Sequence, residues 1–249
     1  LYTRSFNRFE LKYVVHWSVA DALRANVSAY VERDPHAGDQ GLYRISSLYF
    51  DSPDLTCFWE KIEGIKYRRK LRLRTYGESG DSHAFVEIKQ RIDRTVQKRR
   101  VRCPLEPAIE AMHEPQRMLQ QLPTDPVITE ALYLVDTMRL EPKMVVSYQR
   151  EAYLGIYEDG LRITFDTSLR YSDRDLRLGR TSDNEKYFLA PDLVIVEIKF
   201  NERVPLWLCS HLNRLSMVGQ RVSKYCAAVG LAYYGASPLE WRRVYGPAH

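Results

Sequence analysis

A glutamate, an aliphatic residue and a lysine occur together three times in this chain, as Glu10-Leu11-Lys12, Glu87-Ile88-Lys89 and Glu197-Ile198-Lys199. Each copy lies in a stretch that reads as a β-strand. Side chains two apart on a strand point to the same face. Each unit therefore sets a carboxylate and an ammonium on one face and an apolar residue on the other. Other segments carry basic residues at the same spacing. The pattern predicts a sheet with one strongly charged face, suited to a polyanion and a divalent metal.

The strongest basic run is the strand expected over 66–76. Lys66, Arg68, Lys70, Arg72 and Arg74 fall on one face, and Tyr67, Arg69, Leu71 and Leu73 on the other. The strand expected over 83–91 sets Phe85, Glu87 and Lys89 against Val86 and Ile88. The one over 95–103 aligns Lys98, Arg100 and Arg102. Further strands are expected over 4–15, 43–51, 143–154, 161–171 and 193–200, which makes eight. On these, Val146, Tyr148 and Arg150 share a face, and Arg162, Thr164 and Asp166 oppose Ile163 and Phe165.

Helices are expected over 19–31 with Ser18 as N-cap, after Asp51-Ser-Pro-Asp54 through Glu63, across most of 106–140, and over 206–215 and 224–234. Links at 77–82, 92–94 and 155–160 are too short for crossovers, so those strands are antiparallel neighbours. Eight such strands can close into a barrel. The polar segment 172–186 reads as a surface loop rather than a gate. Trp207, Leu208, Leu212 and Leu215 have helical spacing and read as core.

The 249 residues, 45% of them hydrophobic, suffice for a folded core. The net charge of +5 permits an anionic partner without selecting one. Cys57, Cys103, Cys209 and Cys226 lie far apart, with no CxxC, and fit reduced thiols in the cytoplasm. The six histidines form neither HxH nor HExxH, which argues against zinc. There is no P-loop and no GxGxxG. No apolar run reaches the ~18–20 residues of a membrane span. The chain begins at Leu1 without methionine, so its start says nothing about a targeting segment.

Two readings of the charged faces compete. In one they are solvated, and the Glu-x-Lys units are surface ion pairs worth ~0–1 kcal/mol each. In the other they line a closed barrel. Like charges ~6 Å apart repel by ~3 kcal/mol at an effective dielectric near 20, and only a polyanion would relieve such a lumen.

The ordered motifs resemble a known family. Arg8-Phe-Glu-Leu-Lys-Tyr13, Ser47-Leu-Tyr-Phe-Asp-Ser-Pro53, Lys70-Leu-Arg-Leu-Arg-Thr-Tyr-Gly77 and Val86-Glu-Ile-Lys89 are followed by Ser147-Tyr-Gln-Arg150, Leu161-Arg-Ile-Thr-Phe-Asp166, Val196-Glu-Ile-Lys199 and Ser223-Lys224. Together they resemble the polyphosphate-polymerase domain of vacuolar transporter chaperone (VTC) proteins, within the triphosphate tunnel metalloenzyme (CYTH-like) superfamily. The resemblance implies an α+β fold: an eight-stranded antiparallel β-barrel, the triphosphate tunnel, with peripheral helices, in one domain over 1–249.

Carried over residue by residue, the resemblance implies phosphate ligands at Lys12, Arg72, Arg74, Lys89, Lys98, Arg150, Arg162, Lys199 and Lys224, with hydroxyl donors Tyr148 and Ser223. It implies Mn²⁺ or Mg²⁺ on Glu197, with Glu10 and Glu87 as supports. The catalytic set would be Lys12, Arg72, Arg74, Lys89, Arg150, Arg162 and Glu197. The implied reaction is transfer of the ATP γ-phosphate to a growing polyphosphate end. The alternatives are a triphosphatase or tripolyphosphatase of the same fold, and a non-catalytic polyanion binder. RNA readers stack bases on sheet aromatics, whereas here the aromatics mostly alternate away from the basic faces, with Tyr148 an exception. Nucleic acid is therefore disfavoured. Large eukaryotic members of the family join this domain to an SPX sensor and membrane helices. Neither is read in these 249 residues, so the expectation is a cytoplasmic domain, with membrane association through another protein left open.

Overall fold

A computed structural model describes residues 8–35, 41–77, 83–93, 95–113, 122 and 124–236, the side chains of 8 and 111–113 excepted. The parts of the expected first strand before Arg8, of the turn at 78–82 and of the helical stretch at 114–121, with His36 and His249, lie outside these residues. Ten strands and six helices are described: β1 (Arg8–His16), α1 (Trp17–Val27), β2 (Val31–Arg33), β3 (Leu42–Asp51), α2 (Thr56–Ile62), β4 (Tyr67–Tyr76), β5 (His83–Ile92), β6 (Thr95–Pro104), α3 (Leu105–His113), α4 (Pro126–Thr137), β7 (Glu141–Gly155), β8 (Arg162–Ser172), β9 (Lys186–Tyr187), β10 (Leu193–Asn201), α5 (Leu206–Arg214) and α6 (Lys224–Tyr234). The eight expected strands are the eight long ones, and the fold is the expected antiparallel sheet with helices. β2 and β9 are short additions with no hydrophobic period of their own. They exist because β7 and β8 offer them backbone partners.

The chain forms two compact units from interleaved segments. The first comprises 1–43, 148–169 and 189–222, with strand order β1–β10–β8–β7. The β1–β10 ladder is antiparallel and pairs Lys12 with Glu197 and Glu10 with Lys199. The β10–β8 ladder pairs Glu197 with Thr164 and Lys199 with Arg162. Ile163, Phe165, Val196 and Ile198 point the other way and pack with Leu23 of α1 and Leu208 of α5. Alternation thus buries one face as core and gathers charge on the other.

The second unit comprises 44–147, 170–188 and 223–249, with strand order β7–β3–β4–β5–β6. Its core packs Leu71, Leu73, Val86 and Ile88 against Ala131 and Leu134 of α4. The odd residues of β4 and the even residues of β5 face this core, so Arg72, Arg74, Glu87 and Lys89 share the opposite face.

Two local expectations are corrected. Ser18 is not the N-cap of α1: His16 holds that position, its imidazole accepts from the Ser18 backbone N–H, and the helix ends at Val27 rather than Val31. Val31 instead starts β2. The loop before β9 is tied down rather than plain. Arg44 donates to Thr181 at 3.0 Å and to Glu185 at 2.6 Å, and Leu178 is buried in the core.

Candidate functional site: two charged sheet faces

In the first unit, Glu197 is buried on β10. Lys12 Nζ lies 2.9 Å from its Oε1 and Arg150 Nη2 3.1 Å from its Oε2. Arg150, on β7, also grips Asp166 of β8 through Nε and Nη2, both at 2.6 Å. Burial works against the Arg150 charge, but Asp166, Tyr148 and Glu197 outweigh it and raise the pKa of the guanidinium. Its Cζ lies 5.2 Å from the centre of the buried Tyr148 ring. Arg162 donates to Asp34 at 2.6 Å and to the Tyr43 hydroxyl at 3.3 Å.

Glu10 and Glu197 alternate with two lysines. Lys12 Nζ is also 3.5 Å from Glu10, and Lys199 Nζ is 3.4 Å from Glu10 and 3.8 Å from Glu197. Burial pulls the Lys199 pKa down, Arg150 and Lys12 push the same way, and the two glutamates only partly oppose them. A hard divalent cation takes oxygen ligands, and Mg²⁺ commonly takes one or two carboxylates plus water and substrate phosphates. Glu10 and Glu197 fit such a partial set. Among the described residues no three His, Cys, Asp or Glu form a cage.

In the second unit, Glu87 is 1% exposed and sits among cations. Arg72 reaches it at 2.6 Å, Lys98 at 2.5 Å and Arg74 at 3.9 Å. Burial alone would raise the Glu87 pKa, but these three cations bring it down to about 2. Burial also lowers Lys98 to about 8; Arg72 and Arg74 add to that, and Glu87 opposes it. Glu87 thus stands in a nest of two arginines and a lysine. Lys89 is exposed beside Lys70 and Lys98 in the ladder.

Two groups here escaped the sequence reading. Ser47 accepts from Arg74 at 3.0 Å, and the Tyr49 hydroxyl accepts from Arg72 at 2.8 Å. Burial would raise the Tyr49 pKa, yet Arg72, Arg74 and Lys224 outweigh it and bring it to about 8. Ser223 caps α6, accepting from the Cys226 N–H, and Lys224 is the first residue of that helix. The signal for Ser47 and Tyr49 was their alternation on β3. Asp166 and Asp34 were the corresponding omissions in the first unit. Asp166 shared its expected face with Arg162 and Thr164.

Arg74, Glu87, Arg150, Asp166, Glu197 and Lys224 are all buried, so these groups are not the solvated surface pairs of the first reading. Buried ions persist only where partners or ligands compensate desolvation. Arginine forks and lysine ammoniums in such surroundings are phosphate-binding chemistry.

Comparison with known proteins agrees with the family resemblance. Residues 7–233 match the VTC domain. The chain is 22% identical to vacuolar transporter chaperone complex subunit 4 of Trypanosoma cruzi over 94% of its own length, and it spans about a third (35%) of that relative. Among solved structures, a proposed adenylate cyclase from Bacillus halodurans is 15% identical, with a TM-score of 0.48 over 86% of this chain and 92% of that one. Another from Vibrio parahaemolyticus is 15% identical, with a TM-score of 0.43 over 88% and 94%. With the match running from before β1 to within α6, the chain belongs to the VTC-domain family.

Proposed function

We propose that this chain is a metal-dependent phosphotransferase that moves the γ-phosphate of ATP to the end of a polyphosphate chain. The observation that carries the reading is the burial of Arg74, Arg150 and Lys224 at positions where the family resemblance puts phosphate ligands. The name of the Trypanosoma cruzi relative and the VTC-domain match support it. The match includes segments of both compact units, which supports residues 1–249 working as one functional domain.

In this reading Arg72 and Arg74 present guanidinium forks to phosphate oxygens, and Lys89, Lys98 and Lys224 add point charges. Ser223 and the N–H groups of the first turn of α6 add donors of the kind that favour phosphate at a helix N-terminus. Lys12, Arg150, Arg162 and Lys199 take phosphate oxygens on the other charged face, with Tyr148 as a hydroxyl donor. Glu197 and Glu10, which pair with Lys12 and Lys199, are the carboxylates that would hold Mn²⁺ or Mg²⁺. The bound cation would supply charge neutralisation on the phosphates. The protein's own share is positioning and electrostatic stabilisation, the main needs of phosphoryl transfer. No helix among the described residues is long and apolar enough to cross a membrane.

The test is turnover of ATP with Mn²⁺ or Mg²⁺, resolving nucleotide, orthophosphate and long-chain polyphosphate together. ADP with matching polyphosphate is the expected result. ADP with orthophosphate alone would make the protein a hydrolase of the same fold. Tight polyphosphate binding without turnover under either metal would make it a binding module.

A further inference from the structure

The charged face of β4, β5 and β6 continues well beyond the residues assigned to phosphate so far. Strand register places four rows side by side. The first holds Arg74, Phe85 and Arg102; the second Arg72, Glu87 and Arg100; the third Lys70, Lys89 and Lys98; the fourth Arg68, Arg91 and Val96. β4 contributes four cations, β5 two and β6 three, against the single carboxylate of Glu87. Successive rows are about 6.8 Å apart, so the face runs for about 20 Å along the strands.

Direct cross-strand partners of like charge destabilise a sheet. This face has three such pairs in adjoining rows: Lys70 with Lys89, Lys89 with Lys98, and Arg68 with Arg91. Several of these charges meet local partners. Lys98 turns to Glu87, and Lys70 lies 3.3 Å from the Cys226 sulfur and over the Tyr225 ring. Arg91 Nε donates to the Asp93 carbonyl at 2.6 Å and Arg68 donates to the Ile65 carbonyl, which satisfies hydrogen bonds without cancelling charge. Glu60 of α2 is near enough to feel both Arg68 and Lys70 and is shared between them. Burial lowers the Arg68 pKa, and Arg91 opposite lowers it further.

Folding stability gives no reason to keep such a face. We infer that the Arg68–Arg91 row and the lysine row beside it form a track for the distal part of a polyphosphate chain. In this role they set how long a chain the protein prefers. The inference rests on the polyphosphate reading above and extends it from the reacting phosphates to the length of the bound polymer. The occupant is a linear inorganic polyanion rather than RNA. The one aromatic among these twelve positions, Phe85, already carries the Arg100 guanidinium at 5.0 Å from its ring centre, so these positions offer no open stacking platform for bases. A triphosphate is too short to reach from the Arg72 row to the Arg68 row and beyond, whereas a long chain follows the whole face.

The test titrates wild type and Arg68→Gln/Arg91→Gln with tripolyphosphate, long-chain polyphosphate and single-stranded RNA, each over a range of salt. The expected result is about tenfold weaker binding of the long chain by the double variant, with a salt slope shallower by about two, while tripolyphosphate binding stays as in wild type. Thermal stability should hold or rise, since a like-charge pair has been removed. Equal losses for both polyphosphates, or no loss for the long one, would overturn the track. So would a lower melting temperature without any change in chain-length preference, because the pair would then be structural. Tighter binding of RNA than of polyphosphate would overturn the occupant. A wild-type protein that binds neither polyphosphate would bring down the proposed function along with the inference.

Discussion

Arg150 holds Asp166 through two hydrogen bonds of 2.6 Å and uses the same Nη2 to reach Glu197 at 3.1 Å. Asp166 is fully buried, so it fixes the direction of the guanidinium and keeps it charged. Asp166→Asn removes that counter-charge and one acceptor from a buried pair. Such losses cost about 3–5 kcal/mol. Chemical denaturation should show a drop of this size, with polyphosphate restoring part of it by supplying a new anion to Arg150. A variant as stable as wild type would mean that Glu197 alone can hold the arginine.

Glu87 makes a separate prediction about acid. Its folded pKa of about 2 lies below the ordinary 4.5. Its contribution is therefore complete above about pH 4.5 and is lost as pH falls toward 2. A depression of this size corresponds to about 3 kcal/mol. Glu87→Gln should lower stability by about that amount at pH 7 and by much less near pH 2. Urea midpoints measured along this range would check it. Parallel curves for the two proteins would show that Glu87 does not carry the acid limb.

The alternation of charge and apolar side chains made both charged faces legible in the sequence. It placed Arg72, Arg74, Glu87 and Lys89 on one face because period two is a local property. What it could not supply was the identity of neighbours across strands. Tyr49 reads as an ordinary aromatic until β3 is laid beside β4 and its hydroxyl meets Arg72. Asp166 reads as one more polar residue on the Arg162 and Thr164 face until β7 brings Arg150 to it. Short β2 and the His16 cap were illegible for a related reason. Each depends on a specific partner group, the backbone of β7 in one case and an imidazole 3.4 Å from the Ser18 N–H in the other.

Glu197 and Lys12 face each other in the β1–β10 ladder and pair at 2.9 Å. They should nevertheless fail differently. Glu197→Gln keeps an acceptor of the same shape, so the protein should still bind polyphosphate while metal-dependent turnover falls by at least about a hundredfold, the scale of losing a charged group at a transferring phosphate. Lys12→Ala should weaken polyphosphate binding with or without metal. Binding isotherms with and without Mn²⁺, set beside turnover, separate the two. If Glu197→Gln retained full metal-dependent turnover, the assignment of this carboxylate to the cation would be wrong.

Lys98 and Tyr49 both titrate near pH 8 on the same charged face. Their protonation changes act in one direction. Above that pH Lys98 loses its positive charge and Tyr49 gains a negative one, beside the same Arg72 and Arg74. Affinity for tripolyphosphate should therefore fall between pH 7 and 9, against the substrate's own ionisation, which adds negative charge over this range. Lys98→Arg keeps its charge throughout and should remove one part of the fall. Tyr49→Phe cannot ionise and should remove the other, while losing the hydroxyl contact to Arg72. The double variant should bind with an almost flat pH profile across this range. A fall of unchanged steepness in the double variant would place the titrating groups elsewhere on the protein.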